Sequence, residues 1–293
     1  MNIFEGYKKE NVKFAYKTIS PALVVILLLL GVPVFYAIWQ SFFNVTVFSP
    51  EWDFVGIANY LNAFTDPIFQ ASLLRSGVFA FSTISLSILM GLSGALLLNR
   101  DIPGRGILRG LSLLPFLISG VAVGVIWQWL FASEIGVLNN MLALVGLPPI
   151  SWLSDPVWAM VSIVIANVWR FFPFPLIILL AGLQQIDQSY YEAAEIDGAS
   201  GLQSFRHITL PMIKPMMKIS LIYVSFAAFN QFATIFSMTG GGPGHSTEVL
   251  ALNMYKTAFQ NFNWGYGSTL AIILLIINII LSGSYNKYFE TEE

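Results

Sequence analysis

A chain of 293 residues in which 56% are apolar and only 10% are charged falls far short of the roughly one-quarter charged content of a soluble domain. Its mean hydropathy of +0.71 excludes an ordinary water-facing enzyme. A net charge of −2 with no basic tail gives no electrostatic footprint for nucleic acid. The absence of Cys removes disulfides, thiolate metal sites and cysteine nucleophiles together, and two His residues, His207 and His245, leave little for a metal centre.

Crossing about 30 Å of hydrocarbon takes roughly 20 apolar residues at 1.5 Å each, and six stretches of that length follow one another. Residues 1–18 carry Lys8, Lys9, Lys13 and Lys17 and read either as an interfacial amphipathic helix or as a positive flank that fixes topology. The first span, 19–43, is too long for a signal-peptide core and lacks a small-x-small cleavage pattern. Residues 44–70 mix aromatics with turn formers and are expected to fold into short elements over the membrane. Spans at 72–98 and 107–131 follow, and Gly106 with Gly110 and Gly120 with Gly124 each form a GxxxG that lets another backbone approach closely.

An outer stretch, 132–156, holds Gly146 and the Pro148-Pro149 pair. The fourth span, 157–182, contains Asn167, Arg170, Phe171 and Phe174, and Pro173 and Pro175 are expected to disturb its helix and free backbone carbonyls. A fifth span, 214–237, carries Asn230 and Gln231 with Tyr223, Phe226 and Phe229 on nearby turns. A third outer loop, 238–264, opens with MTGGGPGHSTE, and a sixth span covers 265–286. Continuous apolar runs without period-two alternation make these helices and not barrel strands.

Charge orients the bundle. With the N-terminus inside, 11 of the 14 Lys and Arg face the cytoplasm, so both termini, including a 289–293 tail, are expected there. Arg170 is the only charge deep in a span, and such groups line water or a ligand path. Arg170, in the run from Asn167 to Phe174, and Asn230 with Gln231 on the fifth span are the candidate binding residues of such a path, where aromatic planes and amides are the expected chemistry.

Between the fourth and fifth spans lies a polar segment, about 185–213, on the expected inner face. Asp187, Gln188 and Ser189 offer caps, Glu192 to Ile196 are helix formers, Gly198 can end that helix in a left-handed conformation, and Leu202 to His207 read as a second short helix. Pro211 and Pro215 mark the entry into the fifth span.

Glu192-Ala193-Ala194, three residues, Gly198, nine residues, then Ile208-x-Leu210-Pro211 resembles the EAA loop of permease subunits of bacterial ATP-binding-cassette (ABC) importers. The FVGIANY run at Phe54 to Tyr60, Trp127 to Phe131 and TGGGP at Thr239 to Pro243 are similar to the MalF-like permeases of the carbohydrate-uptake class. The likeness covers residues 15–288, without the extra N-terminal helices and large inserted outer domain of the maltose permease.

That resemblance implies an all-α polytopic type I importer fold in a bacterial cytoplasmic membrane, a single permease domain over 19–288, and transport of a sugar or oligosaccharide. It implies a heterodimer with a second homologous permease, two ABC ATPase subunits that carry the ATP and Mg, and an extracytoplasmic binding protein. It assigns ATPase coupling to Glu192, Ala193, Ala194, Asp197, Gly198, Ile208, Leu210 and Pro211, and places positions matching Asn167, Arg170, Phe171, Phe174 and Gln231 at the sugar site. Consistent with a separate ATPase, no GxxxxGK[ST] is present; Gly240 to Thr247 comes nearest but lacks the Lys. The rival readings are a permease for glycerol-phosphate esters or polyols, and an ion-coupled secondary transporter. The latter needs intramembrane Asp, Glu or His, which the spans lack.

Overall fold

The computed structural model describes residues 3–290; Met1, Asn2 and residues 291–293 of the expected tail lie outside the described residues. The chain divides into two compact units, one built from the chain up to Ala63 with Thr257–Ile272, the other from Phe64–Lys256 with the chain from Ile273 onward.

In the first unit, α1 (Ile3–Ile26) runs through a wide π-helical turn (Leu27–Gly31) into α2 (Val32–Gln40), so the backbone stays helical across residue 18. Pro33 has no N–H to give to the carbonyl one turn back, and the Val32 N–H instead reaches Leu27. Leu27 to Leu30 stay 60–68% exposed, a density of apolar surface that water does not tolerate. After α2 comes an antiparallel hairpin, β1 (Phe43–Thr46) with β2 (Ser49–Phe54), in which Phe43 faces Phe54 and a bulge follows Asn44. The Asn59 amide donates to the Ser41 and Phe43 carbonyls at 2.9 and 3.0 Å and holds the hairpin's base. These are the short elements expected over 44–70, joined by α3 (Ala58–Thr65).

The second unit is arranged around α4 (Pro67–Asn99), which starts on a proline behind the Asp66 cap. Its buried face carries small residues, Ser72, Ser76, Ala80, Thr83, Ser87, Gly91 and Ala95, spaced by three or four so that they share one side. Gly91 lies so close to Pro175 and Leu176 that a Cβ would come within 2.9 Å of them. The packing then continues through Ala95, Leu98, Leu179, Leu180, Leu183 and Ile213.

The remaining helices are α5 (Arg105–Leu117), α6 (Gly120–Leu130), α7 (Val137–Leu144), α8 (Pro156–Phe171), α9 (Pro173–Leu183), α10 (Gln188–Ile196), α11 (Gly201–Ser204), a π turn (Phe205–Thr209), α12 (Leu210–Met212), α13 (Lys214–Phe229), α14 (Ala233–Thr239), α15 (Leu250–Tyr255), a third π turn (Lys256–Gln260) and α16 (Trp264–Glu290). Three helices among the described residues are long and apolar enough to cross a membrane, and six spans result when each bent pair of helices counts as one.

Two expected straight spans are corrected. The stretch 107–131 is two helices meeting at 100°, because Ile118 and Ser119 are extended and the Ser119 hydroxyl caps α6 by accepting the Ala122 N–H. The stretch 214–237 breaks at Asn230–Phe232, and its last residues form the separate α14. By contrast, the expected disturbance at Pro173 appears as a 42° bend between α8 and α9.

Of the two GxxxG pairs, Gly106 and Gly110 face open space, whereas Gly120 and Gly124 pack on α14. There the Thr234 hydroxyl donates to the Gly120 carbonyl at 3.0 Å, and a Cβ on Gly124 would overlap Ser237.

Candidate functional site

Two regions bring the predicted residues together. The first is the polar hairpin. Asp187 caps α10 by accepting the Ser189 N–H at 2.9 Å, and that hydrogen bond holds its carboxyl below the ordinary range. At the other end Gly198 takes φ +77, its N–H reaches the Glu195 carbonyl and the Ala199 N–H reaches that of Ala194, the paired bonds of a Schellman stop. Ser200 and Gln203 form a capping box that starts α11 at once. Across the turn the Tyr191 and Thr209 hydroxyls meet at 2.9 Å, tying α10 to the second arm, and Ile213 is fully buried at its root.

On this frame Glu192, Ala193, Asp197 and Gly198 are exposed and Ala194 is partly so; Ile208 and Leu210 are half-buried and Pro211 is exposed. The sequence reading missed two larger groups: Ile196 is 87% exposed and Leu202 76% exposed, flanking the turn. A signal was present, since both stand in a run otherwise rich in polar and small residues.

The second region gathers around the α8–α9 bend and the α13–α14 break. The Gln231 amide donates to the Asn167 carbonyl oxygen at 2.9 Å, and the Asn167 amide donates in turn to the Ile163 carbonyl at 2.7 Å. Both side chains are buried, and the Asn167 carbonyl oxygen is satisfied by the Gln231 amide. Asn230, at the break itself, is exposed and its amide nitrogen returns to the Phe226 carbonyl.

Arg170 is half-buried, and among the described residues it forms no ion pair. Its guanidinium carbon stands 5.4 Å from the Phe171 ring centre. It lies beside Gly120, where a Cβ would approach Nη1 to 3.1 Å. Phe171 is buried, while Phe174 stacks on Tyr223 at 3.8 Å with Phe116 about 6 Å from both. Phe116 had not been singled out, because it sits in the helix before the unforeseen 100° break.

The TGGGPG loop is packed, not loose. Thr247 bonds Thr239 and the Gly242 carbonyl, and the nearly buried Glu248 carboxylate accepts from Lys256 at 2.5 Å and meets His245 at 2.9 Å. Burial pushes the Glu248 carboxyl up, but the hydrogen bonds and charges of Lys256 and His245 outweigh it and hold it below its ordinary range. Among the described residues no cluster of His, Asp and Glu is arranged to hold a metal.

Residues 83–289 match the model of the family described as binding-protein-dependent transport system inner membrane component. The chain is 38% identical over 282 residues, 96% of its length and 94% of the relative's, to the trehalose/maltose transport system permease protein MalF of Thermococcus litoralis. It is 33% identical over 276 residues to the sulfoquinovosyl glycerol transport system permease protein SmoG of Agrobacterium fabrum, covering 94% of this chain and 90% of that one. Among solved structures, a bacterial ABC transporter involved in import of the acidic polysaccharide alginate shares the fold with a TM-score of 0.81 at 21% identity, over 99% of this chain and 98% of that one.

Proposed function

The chain belongs to the binding-protein-dependent transport system inner-membrane component family, and on that premise we propose that it is the permease subunit of an ATP-driven importer for a sugar or oligosaccharide. The carbohydrate reading is carried by the near full-length likeness to the trehalose/maltose permease. The chain serves transport and performs no hydrolysis itself; ATP and Mg belong to two partner ATPases. An extracytoplasmic binding protein delivers the cargo, and a second, homologous permease completes the path. Both termini lie in the cytoplasm of a bacterial cell, as the Lys and Arg asymmetry supports.

In this reading the α10–α11 hairpin seats in the ATPase. Glu192 supplies the polar contact, Ala193 and Ala194 permit close approach, Asp197 and Gly198 fix the turn, and the exposed Ile196 and Leu202 bury apolar surface. Ile208, Leu210 and Pro211 then form the lever into α13. Because Tyr191 is bonded to Thr209 and Ile213 is locked in the core, a displacement of the hairpin is passed to α13. The far end of α13 is the break that carries Gln231, bonded to Asn167 four residues after Ile163 on α8. Motion at the ATPase thereby reaches both halves of the substrate site, a rigid-element route for switching access.

Arg170, Phe171, Phe174, Asn167, Asn230 and Gln231 surround that site. A second cargo class, phosphate esters, is favoured by one observation, the cation of Arg170 without an acidic partner among the described residues. Uptake by the assembled complex carrying Arg170→Ala tests the assignment: loss of uptake or a changed preference between neutral and anionic sugars is expected, and unchanged uptake of both removes Arg170 from the path.

A further inference from the structure

Away from the Arg170 cluster, α13 and α16 enclose a cleft of about 440 Å³ with Phe174 at its edge. That volume lies in the roughly 300–1,000 Å³ range of small-molecule sites. Its lining is mostly apolar, built on the Phe174–Tyr223 stack, with Ser225, Asn278, Ser282 and Tyr285 as its polar members. Ser225 and Tyr285 hydroxyls bond each other at 2.9 Å, and the Asn278 amide nitrogen donates to the Leu274 carbonyl at 2.8 Å, which leaves its oxygen as an acceptor with no partner among the described residues. The hydroxyls of Tyr223 and Ser282 make no hydrogen bond among the described residues.

Polar groups left open within spans are costly in lipid and mark paths for water or ligand. The cleft also has a definite depth. Asn278 lies 14 residues and Tyr285 21 residues after Trp264, about 21 and 32 Å along α16 at 1.5 Å per residue, on the side where Lys287 follows. On α13 the same cleft begins five residues after Lys214. Both helices thus place it in the half of the span nearest their lysines, the inner half by charge.

We propose that this cleft is a second carbohydrate subsite, on the inner half of the path, where the Phe174–Tyr223 stack offers a ring face and Asn278, Ser282 and Tyr223 exchange hydrogen bonds with sugar hydroxyls. The proposal rests on the carbohydrate-importer reading and adds an exit station to it. Phe174 borders this cleft and also packs on Phe116 near the α8–α9 bend, so the two stations share one wall residue. A cleft filled by lipid or by a partner helix is the competing occupant.

The chain has no Cys, so Ser282→Cys introduces the single thiol of this chain, and labelling is read on this subunit after its separation from the others. In the assembled complex on inside-out vesicles, a membrane-impermeant methanethiosulfonate should label Cys at 282, and Tyr285→Cys gives a second reporter if the first variant is poorly made. Maltose and trehalose serve as probes, each first tested for uptake by the unmodified complex. A transported sugar at ten times its apparent Kd should slow labelling about tenfold, as single-site occupancy requires. Absence of labelling at both positions overturns the proposal by showing the cleft covered, and labelling that a transported sugar does not slow overturns the subsite. Failure of the importer reading is seen separately, as no ATP-driven uptake of any sugar by the unmodified complex.

Discussion

The Asn167–Gln231 pair shows how two amides far apart in sequence become one unit. Each is expected to face cargo; both are buried, and one hydrogen bond from the Gln231 amide to the Asn167 carbonyl oxygen joins them. Hydrogen bonds between membrane helices average only about 0.6 kcal/mol, up to about 1.7, because unpaired groups find other partners in the bilayer. Gln231→Leu is therefore expected to lower stability by about 0.5–1.5 kcal/mol, and Asn167→Leu with Gln231→Leu by less than the sum of the two single changes. Thermal unfolding of the detergent-solubilised chain measures this; additive losses would contradict the pairing.

Glu248 supplies a pH-dependent counterpart outside the spans. Because its folded carboxyl sits below the ordinary value, its contribution is present above the unfolded value of about 4.3 and is lost as pH falls through the folded one. The unfolding temperature should fall on acidification below about pH 4.5, and Glu248→Gln should flatten that part of the profile. An unchanged profile in the variant would show that Lys256 and His245 do not stabilise the carboxylate.

At the scale of elements, the hairpin depends on a single backbone conformation. Gly198 at φ +77 is a position where a side chain costs roughly 1–2 kcal/mol, so Gly198→Asp should loosen the turn without touching the membrane core. Purified complex carrying Gly198→Asp or Glu192→Lys is expected to lose its ATPase partner or its substrate-stimulated hydrolysis. Retention of both would remove the coupling role. Ile196→Ser with Leu202→Ser should weaken ATPase retention while leaving the helical content of the chain intact.

The six apolar stretches were legible because length and hydropathy alone demand them. The hairpin was legible too, since Asp187, Gly198 and the prolines are local signals for caps and stops. The breaks at Ser119 and at Asn230–Phe232 were not, because a window average over 107–131 or 214–237 stays apolar whether the helix is straight or folded back. Ser119 before Gly120 was a cap signal of ordinary form, outweighed by the hydropathy around it. What the paired Gly120 and Gly124 pack against, α14, depended on that second break and so was equally hidden. Gly124→Leu should therefore disrupt the α6–α14 contact and reduce the yield of folded chain, whereas Gly110→Leu, in open space, should not.

For the molecule as a whole, family membership and up to six spans describe the membrane subunit of a binding-protein-dependent transport system, and the exposed, tightly capped hairpin fits the coupling role proposed for it. The α13–α14 break carries Gln231, and the α8–α9 bend lies next to Arg170. Broken helices at membrane depth persist where they line a path or are buried in protein, which fits a site that has to open and close. The likeness to sugar ABC permeases speaks for ATP-driven import and not for coupling to an ion gradient.

The most direct test is uptake of labelled maltose or trehalose into proteoliposomes holding the complete complex, with the energy source varied. The account predicts uptake that requires ATP and the binding protein, ignores proton and sodium gradients, and disappears with Glu192→Lys while the complex's membrane portion stays folded. Uptake that continues without ATP and follows an imposed ion gradient would contradict it.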